Sequence, residues 1–346
     1  MKTSEFSDHD YKMMRRAIQL ARYGEGFTSP NPMVGAVVCA PDGRIIGEGW
    51  HRRYGEGHAE VNAIASVKEA DRHLLPEATV YVTLEPCSHY GKTPPCAKLL
   101  IDNKVRRVVV GSSDPFPEVS GRGISMLRDA GITVNTGLLE KECKALNPRF
   151  LTAHSLHRPY ILLKWAQSAD GFIAVGGDAQ RVIFSSPLGM MDVHRLRASS
   201  DAILVGVNTV IADNPRLDTR LWPGRSPRPI TAQSPRLPAD SNLMKSDPIL
   251  RNPDETLSEF LNRLYKKEKI TSLIVEGGTI TLEEFIRNDL FDEIRIEISP
   301  VILRNGVPAP SLALNSKALL SPSATTRCGS NLIFTLHPKS TGSGEG

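Results

Sequence analysis

Four side chains in the first hundred residues place the tightest condition on how this chain can fold. They are His58 and Glu60 in His58-Ala59-Glu60, and Cys87 and Cys96 at the two ends of Cys87-Ser88-His89-Tyr90-Gly91-Lys92-Thr93-Pro94-Pro95-Cys96. One imidazole and two thiolates are ligands for Zn²⁺, and they leave the fourth tetrahedral position to water, as catalytic zinc does and structural zinc does not. Residues 79–84, Thr-Val-Tyr-Val-Thr-Leu, have the β-branched and aromatic content of a strand, which Glu85-Pro86-Cys87 ends. Pro94-Pro95 before Cys96 suits a helix start. His58 likewise opens an Ala-rich run, 59–70, with Val61, Ile64 and Ala65 at helical spacing. Ligands at helix starts feel the positive end of the macrodipole, which favours thiolate over thiol.

A carboxylate two residues after the histidine is not a ligand in zinc-dependent base deaminases; it shuttles protons. The pattern therefore points to hydrolytic removal of an amino group from a heterocycle, with Glu60 as the catalytic residue and His58, Cys87 and Cys96 as the metal ligands. Taken singly the pieces mean little. His-x-Glu is a chance tripeptide, and a lone cysteine is a small buried hydrophobe. Their conjunction carries the reading, and a purely structural zinc site would leave Glu60 and the missing fourth ligand unexplained.

Length and charge narrow the class. At 346 residues the chain is long enough for two domains, each with its own core. With 42 Lys and Arg against 38 Asp and Glu, net charge is +4, and no basic stripe points to nucleic acid. No apolar run is long enough to span a membrane, and Lys2, Glu5, Asp8 and Asp10 argue against a signal peptide. Cys39, Cys143 and Cys328 are expected to be reduced, partly buried thiols, in keeping with a cytoplasmic protein.

Helical and strand-like stretches alternate through the first half, which predicts an α/β three-layer arrangement. A helix is expected over 10–23, a hairpin over 34–39 and 44–49, strands near 80 and over 107–111 and 133–136, and a helix over 123–130. The pattern restarts after 151–159 with a strand at 160–165, an amphipathic stretch at 193–197 and a buried strand at 202–207. Residues 222–253 read either as loops or as short strands hidden by prolines. Strand 272–275, a Glu276-Gly277-Gly278 turn, helix 280–288 and strand 293–298 follow, and 340–346 is expected to be disordered.

The first half resembles the bifunctional riboflavin-biosynthesis deaminase–reductase family in Ser29-Pro30-Asn31-Pro32-Met33-Val34-Gly35-Ala36-Val37-Val38, in Tyr54-Gly55-Glu56-Gly57-His58-Ala59-Glu60, and throughout 86–96. The eight residues between the cysteines separate it from cytidine and tRNA adenosine deaminases. The second half is similar to that family's dihydrofolate-reductase-like domain in Lys164-Trp165-Ala166-Gln167-Ser168-Ala169-Asp170-Gly171, Arg195-Leu196-Arg197-Ala198, 201–215 with Leu217 and Arg220, and Val275-Glu276-Gly277-Gly278.

The resemblance implies a cytidine-deaminase-like three-layer α/β/α domain over 1–152 and an NADPH-dependent reductase domain over 153–346. It implies two successive reactions on a phosphorylated pyrimidine: loss of the 2-amino group of a diaminopyrimidinone, then reduction of its ribosyl group to ribityl, with Zn²⁺ and NADPH as cofactors. Asn31, His51 and Lys92 fall where the family contacts the first substrate. Lys164, Arg197, Leu217, Arg220 and Glu276 fall where it contacts the second. Gln167, Thr209, Asp213, Gly278, Thr279 and Ile280 fall where it holds NADPH. A homo-oligomer through the second domain is also implied. The stretch 181–187 departs from the family pattern: Ile183 stands in place of an aromatic cofactor contact and Arg181 in place of a small polar substrate contact. Two rivals follow, a deaminase whose second domain has lost its chemistry, and a nucleic-acid base deaminase. The balanced charge and the long inter-cysteine loop disfavour the second.

Overall fold

A computed structural model describes residues 6–89, 94–114, 121–176, 182–314 and 320–338. The chain divides into two compact units, Met1–Leu156 and His157–Gly346. Among the described residues no helix is long and apolar enough to cross a membrane.

In chain order the first unit contains α1 (Asp8–Ala21), β1 (Gly35–Cys39), β2 (Ile45–Trp50), α2 (Ala59–Ala65), β3 (Thr79–Leu84), α3 (Cys96–Asp102), β4 (Arg107–Ser112), α4 (Arg122–Asp129), β5 (Thr133–Thr136), α5 (Glu140–Ala145) and α6 (Pro148–Leu156). Helix α1 starts on a reciprocal cap in which Ser7 and Asp10 satisfy each other's backbone N–H groups. The strands form one sheet in the order β2-β1-β3-β4-β5, with β3, β4 and β5 parallel and β1 antiparallel to both its neighbours. Alternation along the strands then sorts the core. Ala36, Val38, Val80, Val82, Val108 and Val110 face α2, α3 and α4 through Ala63, Leu100 and Leu127. Val37, Tyr81 and Val109 face α1 through Met14, Ala17 and Leu20, with Cys143 of α5. The result is three layers, helix on sheet on helix. The Ala-rich run expected over 59–70 is helical only to Ala65, because the Ser66 hydroxyl bonds back to the Ala63 carbonyl at 2.7 Å. A 3₁₀ helix over Glu69–Glu77 continues the chain.

The second unit contains β6 (Tyr160–Gln167), β7 (Phe172–Ala174), α7 (Pro187–Ala198), β8 (Ala202–Leu204), α8 (Val207–Asp213), β9 (Arg228–Ala232), β10 (Ile249–Arg251), α9 (Leu257–Lys266), β11 (Ser272–Val275), α10 (Thr279–Arg287), β12 (Glu293–Ile298), β13 (Val307–Pro308), β14 (Leu320–Cys328) and β15 (Asn331–Pro338). Its main sheet runs β10-β9-β8-β11-β6-β12-β15-β14. The first six are parallel; β15 and β14 close one edge as an antiparallel hairpin. Leu163, Trp165, Val275 and Ile294 face α9 and α10 through Phe260, Leu264 and Phe285. Leu162, Ile203 and Ile274 lie on the opposite face with Leu196 of α7 and Val210 of α8. The two strands β9 and β10 answer the ambiguity of 222–253. Pro229 sits inside one and Pro248 just before the other, so neither shows a clean alternation in the sequence. The β14–β15 hairpin was not expected from the sequence. Its outer strand, Leu-Ser-Pro-Ser-Ala-Thr-Thr-Arg-Cys, is polar and carries its own proline.

Candidate active site

The first constellation lies at the carboxyl end of β3. There Glu85-Pro86 turns the chain so that Cys87 meets Cys96, the first residue of α3, and His58, the residue just before α2. One ligand atom from each lies within 4.8 Å of the others. His58 Nδ1 is 3.6 Å from Cys87 Sγ and 3.3 Å from Cys96 Sγ, and the Cys96 backbone N–H donates to Cys87 Sγ at 3.2 Å.

Hydrogen bonds from the Cys96 thiol, from His58 and from the Cys96 backbone outweigh burial and hold the Cys87 thiol at about 4. The bond to Cys87 and burial push Cys96 the other way, so the free pair shares one negative charge. A bound dication takes both sulfurs as thiolates. One imidazole nitrogen and two sulfurs, with no fourth side chain among the described residues, fit zinc with an open position. Cys39 and Cys143, by contrast, are pushed up to about 12 by burial, and with Cys328 they are free thiols.

Glu60 sits in the first turn of α2 and is only 3% exposed. Burial, with the Cys87 charge adding to it, pushes its carboxyl up to about 7. Beside it, the His51 and His58 rings stand edge to face with centroids 5.5 Å apart. His51 Nδ1 lies 3.2 Å from the Gly57 carbonyl and its Nε2 lies 3.3 Å from Asn31 Nδ2, so Asn31, His51 and His58 form one connected group. Burial pushes His51 down, which keeps the ring neutral. Lys92 lies outside the described residues.

Sequence reasoning missed Glu85. Its buried carboxylate accepts from four backbone N–H groups, those of Asp114 (3.3 Å), Gly121 (3.0 Å), Gly123 (3.0 Å) and Ile124 (3.4 Å). It thereby pins the start of α4 to the turn that carries Cys87. A Cβ on Gly123 would lie 2.0 Å from the Pro86 carbonyl oxygen, so only glycine permits this approach. The signal was a carboxylate at a strand end with a glycine-started helix in reach, and neither is distinctive in a single sequence.

In the second unit, a row of charges crosses the carboxyl ends of the parallel strands, where open α/β sheets bind their ligands. Lys164 on β6 pairs with Arg295 on β12, and Glu276 follows directly on β11. Glu276 accepts both Arg197 Nε (3.0 Å) and Nη2 (2.7 Å), and Arg197 Nη1 also reaches the Asp218 carbonyl (3.3 Å). Lys164, Arg197 and Glu276 are thus brought together, and Arg197 links them to the loop carrying Arg220, which pairs with Asp218. Burial lowers Lys164, partly offset by Glu276 and Glu297. Glu276 stays low because Arg197 overcomes the effect of burial.

Leu217 has a left-handed backbone, φ 56°, and its side chain packs into the core beside Leu196 and Val210. Only its backbone is therefore offered to a ligand. Sequence reasoning also missed buried Glu297, which accepts from Ser185 (2.5 Å) and Asn331 (2.7 Å), and His194, a fully buried ring with no hydrogen-bond partner at either nitrogen among the described residues.

Four of the six residues expected at NADPH, Thr209, Gly278, Thr279 and Ile280, gather at the starts of α8 and α10. A Cβ on Gly206 would lie 2.6 Å from Thr281 Oγ1, so that glycine lets the two helix starts approach, and Thr209 Oγ1 is 3.8 Å from where a Gly278 Cβ would be. Thr279 donates to the Pro308 carbonyl, and Ile280 is 77% exposed. Asp213 closes α8. Gln167 Oε1 accepts from the Trp165 indole N–H at 2.8 Å at the end of β6. The first backbone N–H groups of α10, beside Gly278 where a Cβ would meet only Thr209 Oγ1 within 4 Å, fit a dinucleotide phosphate. Ile183 is 71% exposed, and Arg181 lies outside the described residues.

Fold and site define a cytidine-deaminase-like zinc domain joined to an α/β reductase domain. Residues 7–112 match the cytidine and deoxycytidylate deaminase zinc-binding region, and residues 159–334 match the RibD C-terminal domain. The chain is 45% identical over 259 residues to the riboflavin biosynthesis protein RibD of Actinobacillus pleuropneumoniae, covering 75% of this chain and 67% of that one. To RibD of Aquifex aeolicus it is 38% identical over 331 residues, 89% of this chain and 91% of the relative. Among solved structures, RibD of Acinetobacter baumannii superimposes with a TM-score of 0.85 at 31% identity, over 95% of this chain and 99% of that one. The chain belongs to the RibD family of riboflavin biosynthesis proteins.

Proposed function

We infer that this chain is a bifunctional enzyme of riboflavin biosynthesis. It removes an amino group from a diaminopyrimidinone bearing a phosphoribosylamino group, then reduces the ribosyl group to ribityl. The observation that carries this is the presence of both RibD halves, in order, over most of the chain. The similar protein of Thermotoga maritima is described as a diaminohydroxyphosphoribosylaminopyrimidine deaminase and 5-amino-6-(5-phosphoribosylamino)uracil reductase; it is 33% identical with a TM-score of 0.83, over 95% of this chain and 99% of that one. Because both domains are present, the bifunctional reading holds over a deaminase with an inert second half. The cofactors are Zn²⁺ and NADPH.

We assign deamination to the first unit and reduction to the second. His58, Cys87 and Cys96 hold the zinc, which when bound lowers the pKa of water toward neutrality so that it can attack the amino-bearing carbon. Glu60 takes the proton of the attacking water and delivers it to the ring nitrogen and then to the departing amine; its buried carboxyl suits both directions of transfer. Asn31 and His51 hold the pyrimidine edge, and Lys92 supplies a point charge for the phosphate. In the second unit Arg197 and Arg220 bind the phosphate monoester, while Lys164, Glu276 and the Leu217 backbone orient the sugar and base. Gln167, Thr209, Asp213, Gly278, Thr279 and Ile280 hold NADPH, which supplies the hydride.

The partner is a small phosphorylated pyrimidine rather than nucleic acid. The working form is a homo-oligomer, which light scattering tests. The compartment is the cytoplasm, since Cys87 and Cys96 serve as ligands only while reduced. Ammonia release followed beside NADPH oxidation on one zinc-loaded sample tests the whole reading. Both signals are expected, and ammonia without NADPH loss would overturn the assignment of the second unit.

A further inference from the structure

Asn62 lies one helical turn after His58, and its backbone N–H donates to the His58 carbonyl at 3.0 Å. Its side chain points back to the loop that precedes the helix. Asn62 Nδ2 donates to the Trp50 carbonyl (2.8 Å) and to the Gly57 carbonyl (3.0 Å). Those two carbonyls belong to the residues immediately before His51 and His58. One amide nitrogen therefore fixes both the peptide that leads into the zinc-ligand histidine and the peptide that leads into the substrate-contact histidine.

The same Gly57 carbonyl also meets His51 Nδ1 at 3.2 Å. A carbonyl oxygen only accepts, and it has two lone pairs, one for Asn62 and one for His51. His51 Nδ1 must therefore carry the proton, and Nε2 of the neutral ring must accept. Asn31 Nδ2 lies 3.3 Å from Nε2 and donates to it. This holds one N–H of the Asn31 amide inside the protein, which fixes the plane of the amide and leaves Oδ1 and the second N–H to a ligand.

We propose that Asn62 is a positioning residue of the deaminase site: through the Gly57 carbonyl and the His51 ring it fixes the plane of the Asn31 amide that meets the substrate ring. The chemistry selected is a pyrimidine edge that presents an N–H donor to Oδ1 and an acceptor to the remaining N–H of Asn31. The proposal rests on Asn31 and His51 being substrate contacts.

The test compares Asn62→Ala, Asn31→Ala and the double variant with the parent. On each preparation it measures zinc content, deaminase kcat and KM from ammonia release, and NADPH oxidation with 5-amino-6-(5-phosphoribosylamino)uracil. The last reports on the folded second unit. Asn62→Ala is expected to raise the deaminase KM about tenfold, the worth of roughly one hydrogen bond, with kcat and zinc content held and the reductase unchanged. Asn31→Ala raises KM by a similar factor, and the double variant is no worse than Asn31→Ala alone. An unchanged KM in Asn62→Ala overturns the proposal, as does a double variant in which the two defects multiply. Zinc loss in step with activity also overturns it, by making Asn62 a support of His58 alone. If Asn31→Ala itself leaves KM unchanged, the reading of Asn31 as a substrate contact fails, whatever Asn62 does. Asn62→Asp keeps the shape and withdraws both donors, and it gives the same comparison should the alanine variant be insoluble.

Discussion

The backbone N–H of Cys96 donates to the sulfur of Cys87 across 3.2 Å, so the first peptide of α3 already serves that sulfur as a thiolate. A charge-assisted bond of this kind prepares the ligand before the metal arrives. Cys87→Ser removes the sulfur this bond serves. Zinc content and ammonia release are expected to fall together, measured by metal analysis and a coupled ammonia assay, while NADPH oxidation on the deaminated intermediate stays at the parent rate. Removing zinc from the parent with a chelator should reproduce the same split.

Glu60→Ala separates metal binding from proton transfer. Zinc content is expected to stay at the parent level, because Glu60 is not among the converging ligand atoms. Turnover should fall by about 10²–10⁴, the usual worth of a positioned general acid–base group. Ammonia release at saturating substrate checks it, and turnover near the parent rate would remove Glu60 from the proton path.

Arg220→Ala bears on the second reaction. Arg220 is held by Asp218, whose carbonyl is tied to Arg197 and so to Glu276. Loss of one guanidinium contact to the phosphate is expected to raise the reductase KM for the phosphorylated substrate roughly tenfold, with the KM for NADPH and the deaminase rate unchanged. Steady-state NADPH oxidation at varied substrate reads this directly.

Acid stability of the first unit depends on Asp10. Its carboxylate accepts from Arg107 (2.7 Å), Tyr81 (2.8 Å) and the Ser7 backbone (2.9 Å), joining α1 to β3 and β4. Burial alone would raise this carboxyl, but those bonds outweigh it and hold it at about 2. The folded value lies below the unfolded one. The stabilisation is therefore full above pH ~4 and is lost as pH falls toward ~2, amounting to about 2 kcal/mol. Denaturant midpoints across this range check it: the parent should lose stability, and Asp10→Asn should start lower and change less.

The zinc constellation and the strands around it were legible in the sequence because each piece is local. β3, from Thr79 to Leu84, is rich in β-branched and aromatic residues, and Pro94-Pro95 marks the start of α3 without help from the rest of the fold. Glu85 was not legible because it acts on backbone groups 29 to 39 residues further on, and Asn62 because its partners lie in an irregular loop; nothing in their own neighbourhood distinguishes them from a solvated carboxylate or a helix asparagine. β9 and β10 were half visible, their prolines hiding strands that only parallel neighbours make stable. The polar β14 escaped altogether, because its structure comes from pairing with β15 and not from its own alternation.

Asn331, at the start of β15, donates to Glu297 of β12 and to the Phe184 carbonyl, so it ties β12 to the segment that leads into α7. A chain made from its N-terminus acquires all three zinc ligands by Cys96 and every strand of its first sheet by Thr136. The second sheet must wait for β15 to be synthesised before β12 gains its outer partner. Domains fold as units during synthesis, the earlier one first. The half that performs the first reaction thus matures ahead of the half that performs the second, whose sheet waits on the β14–β15 hairpin.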